Sequence, residues 1–65
     1  MTAPGSISGL DCRLWRLSRE LRQVDVAKAM GVSRVTVLRL EQRRTVRPKQ
    51  ALRYLQAVKV ASGEA

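Results

Sequence analysis

Gln23-Val24-Asp25-Val26-Ala27-Lys28-Ala29-Met30-Gly31-Val32-Ser33-Arg34-Val35-Thr36-Val37-Leu38-Arg39-Leu40-Glu41 is the stretch that decides the fold of this chain. Val26, Ala27 and Met30 share one side of a helix predicted over 23–30, and Asp25 lies in its first turn, where the helix dipole favours an acid. Gly31 ends that helix, because a left-handed residue after the last turn is the usual stop and glycine adopts it freely. Ser33 is a good N-cap for a second helix over 34–42. Val37, Leu40 and Glu41 then point inward, and Arg34, Val35, Thr36 and Arg39 point out. Two helices crossing near a right angle need a small residue where they touch, and Ala27 supplies it. Val32 and Val37 fill the angle between them. This packing leaves the second helix protruding, with its outer side free.

Working outward, Ser8 and Asp11 predict the start of a helix over 9–19, with serine as N-cap and the acid in the first turn. Leu10, Leu14, Leu17 and Leu21 follow at spacings of four, three and four, which reads as one buried helical face. Cys12 reads as a small core residue, and Trp15 as packing or interface. Past Glu41, residues 43–47 form a basic loop. Pro48 suits the first position of a helix over 48–59, because its missing N–H is unpaired there anyway. Ala51, Leu52, Leu55 and Val58 make one stripe of that helix. Tyr54, Leu55, Val58 and Val60 exceed what a single stripe needs, so they are the expected two-fold interface. Leu38 falls on the outer side of its helix. Residues 1–7 read as a flexible arm, 8–60 as the domain and 61–65 as a tail. The fold class is all-α, a compact bundle of four to five short helices.

At 65 residues the chain holds one domain. A domain this small buries only about 60% of the surface its unfolded chain exposes, so its stability is marginal. One cysteine and no histidine rule out a disulfide and a structural zinc site. Helix packing and self-association are the remaining sources of stability. No paired carboxylates stand at a plausible catalytic spacing and there is no glycine-rich phosphate loop, so the chain does not read as an enzyme, and no metal, cofactor or small-molecule substrate is expected.

Charge narrows the partners. Thirteen Lys and Arg oppose five Asp and Glu, for a net charge of +8. Such a surface repels itself until a polyanion neutralises it, and nucleic acid or an anionic membrane are the usual candidates. Ten of the thirteen cations are arginine, the residue suited to bidentate phosphate and guanine contacts. The apolar runs are far too short to span a bilayer, which takes about 20 residues, and helices mixing arginine with little bulky apolar surface do not suit a membrane face. Scarce aromatics argue against single-strand recognition. No signal peptide is visible, and an unpaired cysteine fits a reducing cytoplasm. A protruding helix with Arg34 near its start fits a major groove about 12 Å wide.

From about Cys12 to Val60 the chain resembles the Cro/phage-repressor-like helix-turn-helix proteins, the XRE family. The resemblance rests on Gln23–Glu41 together with the basic stretch Glu41-Gln42-Arg43-Arg44-Thr45-Val46-Arg47-Pro48-Lys49 and the helix after it. It implies that Arg34, Val35, Thr36 and Arg39 read DNA bases. It implies that Gln23, Ser33, Arg43, Arg44, Arg47 and Lys49 hold phosphates, with Gln23 also bracing the reading helix. Arg16 and Glu41 match a partly buried ion pair. The implied protein is a cytoplasmic transcriptional regulator, a repressor binding a palindromic operator on double-stranded DNA as a homodimer. The alternative is an antitoxin-type module that also binds a protein partner through Leu38 and the apolar C-terminal end.

Three positions depart from the family pattern. Arg22 stands where Ser or Thr usually caps, which removes a contribution of about 1 kcal/mol. Arg43 and Glu20 stand where glycine is frequent. If Arg43 takes a left-handed conformation, the cost is about 1 kcal/mol. The resemblance also favours Cys12, Trp15 and Arg16 as the inward side of the first helix, against the leucine spacing. Both hold only if that helix is buried over a broad face.

Overall fold

The computed structural model describes residues 7–64, which form four α-helices: α1 (Gly9–Ser18), α2 (Gln23–Met30), α3 (Arg34–Glu41) and α4 (Pro48–Ala61). α1 packs against α3 and α4, and α2 packs against the same two. α3 and α4 therefore each pack against both α1 and α2. The core is Cys12, Val26, Ala27, Val37, Leu40, Val46, Ala51, Tyr54, Ala57 and Val58. Burial pushes the Cys12 thiol up to about 11, with Asp11 and Glu41 adding to the effect, so it stays protonated inside the bundle.

Local chemistry explains where the helices begin. Ser8 Oγ accepts from Asp11 N–H at 3.1 Å while Asp11 accepts from Ser8 N–H at 2.9 Å, a reciprocal cap on α1. At α2 the Arg22 side chain offers no acceptor. Asp25 nonetheless accepts the Arg22 backbone N–H at 2.8 Å and also pairs with the Arg22 guanidinium at 3.2 Å. Half of a capping box is thus kept without a hydroxyl.

Three helices end in the same way. After α1, Leu21 N–H donates to Arg16 C=O and Glu20 N–H to Leu17 C=O. Val32 to Ala27 and Gly31 to Lys28 repeat the arrangement after α2, as do Glu64 to Lys59 and Gly63 to Val60 after α4. Each motif needs a left-handed residue at its centre. Gly31 and Gly63 supply it at φ of 74° and 80°, whereas Glu20 adopts φ of 57° with a Cβ in the way. Arg43, where the sequence raised the same concern, has no positive φ, because α3 closes on a right-handed Gln42 and Arg43 N–H bonds Leu40 C=O at 3.3 Å. The strain therefore sits at Glu20. Glu20→Gly is expected to stabilise the domain by about 1 kcal/mol, read as a melting temperature higher by roughly 4–8 °C. An unchanged or lower melting temperature would refute the assignment.

The first helix settles the conflict between its two inward faces. Gly9, Cys12 and Arg16 are buried, Trp15 is half-buried, and Leu10, Leu14 and Leu17 are exposed. The leucine face is therefore a correction. The physical reason lies at Gly9, whose backbone meets the C-terminal carbonyls of α3, Leu40 and Glu41, so closely that a Cβ would collide with them. Gly9 N–H also donates to Arg43 C=O at 2.8 Å. With Gly9 against α3 and Arg16 reaching Glu41, the rotation of α1 is fixed and the leucines turn outward.

Other boundaries and faces also move. Ile7, placed in the flexible arm, pairs with Val46 and packs against the core, its carbonyl accepting from Val46 N–H at 2.7 Å. The rest of the expected arm, residues 1–6, lies outside the described residues. Ala61 belongs to α4 rather than to a tail, and Glu64 pairs with Arg19 at 2.7 Å. Leu52 is exposed, and Leu55 is half-buried. Tyr54 and Val58 are fully buried in the core and cannot form a two-fold interface. Leu38 is half-buried rather than outermost. No helix among the described residues is long and apolar enough to cross a membrane.

Candidate nucleic-acid interface

α3 begins at Ser33, whose hydroxyl accepts from Thr36 N–H at 3.3 Å. Val37, Leu40 and Glu41 are its buried positions. At 100° per residue, Val35 and Arg39 lie opposite that buried side, with Arg34 and Thr36 flanking them. All four are exposed, Val35 to 45%. The short, β-branched residues at 35 and 36 keep the crest low between two long arginines.

The inner end of α3 is locked by a single carboxylate. Glu41 accepts from Arg16 Nε at 2.9 Å, Arg16 Nη2 at 3.1 Å, Gln23 Nε2 at 3.2 Å and the Tyr54 hydroxyl at 2.5 Å. These donors come from α1, α2 and α4, so one side chain of α3 is tied to every other helix. Arg16 spends a further N–H on Leu21 C=O at 2.9 Å. Burial pushes the Glu41 carboxyl up, and the bonds from Arg16, Tyr54 and Gln23 together outweigh it and hold it below its ordinary value. Burial, with the bond to Glu41, raises the Tyr54 phenol well above its usual value, so the hydroxyl remains a donor. Tyr54 was missed as a member of this group. Its place in the sequence, on the inward stripe of α4, was the available sign, but nothing there shows which carboxylate it meets.

A basic rim continues from α3. Arg43, Arg44, Arg47 and Lys49 are all exposed, while Val46 between them is buried and anchors the loop to the core. Thr36, Arg39, Leu40, Arg43 and Gln50 line one shallow cleft, which brings the exposed side of α3 to the start of α4. In it the Arg43 guanidinium donates to Gln50 Oε1 at 3.3 Å. On the opposite flank Arg13, Arg16, Gln23, Leu38, Glu41 and Gln42 line a second cleft, so Gln23 is placed beside α3 and next to Arg13. Sequence reasoning did not single out Arg13, Gln42 or Gln50. Of the thirteen cations, Arg16, Arg19 and Arg22 pair with acids. Among the described residues, those of α3 and the following loop form no such pair.

A two-helix unit with a glycine-stopped turn, an exposed second helix and a basic rim is the architecture of a DNA-reading domain. The profile of the helix-turn-helix family matches residues 13–64, and the chain belongs to that family, of the XRE type. It is therefore a DNA-binding regulator of the XRE type, built on a domain whose family role is binding rather than catalysis. No curated protein and no solved structure matches the chain.

Proposed function

We propose that this chain is a cytoplasmic repressor that recognises a palindromic operator in double-stranded DNA as a homodimer, with α3 of each copy in the major groove. The observation that carries the proposal is the division of α3: its inner side is fixed by Glu41, and its outer side presents Arg34, Val35, Thr36 and Arg39 to solvent. A rigid helix with polar and methyl-bearing ends can read base edges; a loosely held one cannot. Arg34, near the N-terminal end, grips guanine O6 and N7, and Val35 with the Thr36 methyl contacts a thymine methyl. Arg39 reaches a further base edge. Arg43, Arg44, Arg47 and Lys49 neutralise phosphates, which sets position and affinity without reading sequence. Gln23 gives one amide N–H to Glu41 and keeps the other for a phosphate. Ser33 sits at the helix start, where the dipole also favours a phosphate.

Selection of bound sequences from a random duplex pool tests the reading, because an inverted repeat with half-sites about one DNA turn apart, roughly 34 Å, is the required product. In the selected site, Arg34→Ala is expected to cost about 1–3 kcal/mol, expressed as relaxed preference at one base pair in each half-site, with little change in affinity for random DNA. Recovery of no preferred sequence at physiological salt would end the proposal.

A further inference from the structure

We infer that the outer face of α1, formed by Leu10, Leu14 and Leu17, is where two copies of this chain meet. The inference rests on the dimeric reading above and replaces the face expected on α4, where Tyr54 and Val58 belong to the core and only Val60 stays exposed. The three leucines are 56%, 53% and 47% exposed. They recur at spacings of four and three, on the side of α1 opposite Gly9, Cys12 and Arg16. Single exposed leucines are ordinary, but a row of them along one helix marks a contact surface. Among the described residues the core makes no use of this row, and α1 is fixed instead by Gly9 and Arg16.

Charge selects the occupant. With +8 on each copy, most approaches of one chain to another bring like charges together. The exposed cations of α3 and the following loop (Arg34, Arg39, Arg43, Arg44 and Arg47), like Lys49, Arg53 and Lys59 of α4, lie outside α1. The leucine row is edged by Asp11 on one side and Arg13 on the other, with Glu20 just beyond its end, and it carries no excess of positive charge. It is also self-complementary. A two-fold axis running along α1 sets opposite edges of the two faces against each other, bringing Asp11 of one copy toward Arg13 of the other twice over. A polyanion, in contrast, is drawn to α3 and its loop, which leaves this face free in the DNA-bound state.

The contact is modest. A standard stable interface buries about 800 Å² per partner, and three half-exposed leucines with their flanks supply only part of that. The free protein is therefore a concentration-dependent dimer, and occupancy of two adjacent half-sites strengthens the association.

Sedimentation equilibrium of the full chain over a wide concentration range tests the surface, using the wild type, Leu14→Glu and, as a control, Leu52→Glu at an exposed leucine of α4. The expected result is a reversible dimer for wild type and Leu52→Glu, and a monomer for Leu14→Glu with an unchanged circular dichroism spectrum and a melting temperature that, unlike that of wild type, does not rise with concentration. Leu17→Gln is the milder variant should Leu14→Glu fold poorly, and it is expected to shift the dimer toward monomer. On DNA, Leu14→Glu is expected to bind a single half-site as wild type does and to lose roughly tenfold or more on the full palindrome. A wild type that is monomeric throughout, or a dimer that persists in Leu14→Glu and Leu17→Gln, or one that dissociates only in Leu52→Glu, overturns the inference. Sedimentation decides this without DNA. Failure to bind any half-site would instead sink the operator reading and leave the dimer result standing.

Discussion

Glu41→Ala is expected to abolish the cooperative thermal unfolding of this domain. The substitution removes the acceptor for Arg16, Gln23 and Tyr54 at once and leaves the Arg16 guanidinium buried without its counter-ion. Breaking a buried pair from one side costs about 3–5 kcal/mol. A 65-residue domain has about 3–10 kcal/mol in total at 0.05–0.15 kcal/mol per residue. The loss thus takes most or all of the stability, and the variant should show a broad, shallow melt or none. The orphaned charge is the larger cause, so Arg16→Met combined with Glu41→Met should recover part of the transition, and adding Tyr54→Phe, which removes the hydroxyl left without its acceptor, should recover more. A single variant that melts like the wild type would show that the carboxylate does not hold the bundle together.

The same group sets the response to acid. The carboxyl of Glu41 is held below its ordinary value when folded, so the stability it contributes is fully present above the ordinary carboxylate range. That contribution is lost as pH falls through the depressed folded value. Urea midpoints for the wild type should therefore be level from neutral to mildly acidic pH and drop steeply below the carboxylate range. In the double methionine variant the drop should be shallower.

The second large effect is on DNA affinity as a function of salt. If Arg43, Arg44, Arg47 and Lys49 each neutralise a phosphate, every protomer displaces about four counterions, and log K falls against log salt with a slope of about −3.6 per protomer. Between about 50 and 200 mM salt that is a loss of roughly a hundredfold per protomer, and the losses multiply for a dimer. Changing Arg44 and Arg47 together to alanine should reduce the slope by about 2 per protomer and weaken specific and random DNA alike. Both side chains are exposed on a loop whose anchor is Val46, so the fold should not change. A slope unaltered by the double substitution would place the phosphate contacts elsewhere, with Arg13 beside Gln23 the first alternative.

The four helices were legible because their signals are local. Ser8 and Ser33 cap, Gly31 stops a helix and Pro48 begins one, and each acts within a few residues of the backbone it controls. The outward side of α3 was legible for the same reason, since Val37 and Leu40 mark the inner side by spacing alone. Tyr54 and Val58 of the expected two-fold face on α4 were misread, because a list of apolar residues does not say which of them the core consumes, whereas Val60 is exposed. Tyr54 is a case in point: its ring fills the centre of the bundle and its hydroxyl completes the bonding of Glu41.

By itself, then, the sequence determined where the helices begin, the glycine-stopped turn and the basic rim, because each depends on neighbours in the chain. Only the tertiary structure decided how α1 is rotated, where the left-handed strain falls and which leucines remain in water. α1 carries two helically spaced faces, Gly9–Cys12–Arg16 and Leu10–Leu14–Leu17, and hydrophobicity favours the wrong one. The choice is made by a steric fact at Gly9 and an ion pair spanning 25 residues to Glu41, and periodicity within α1 contains neither.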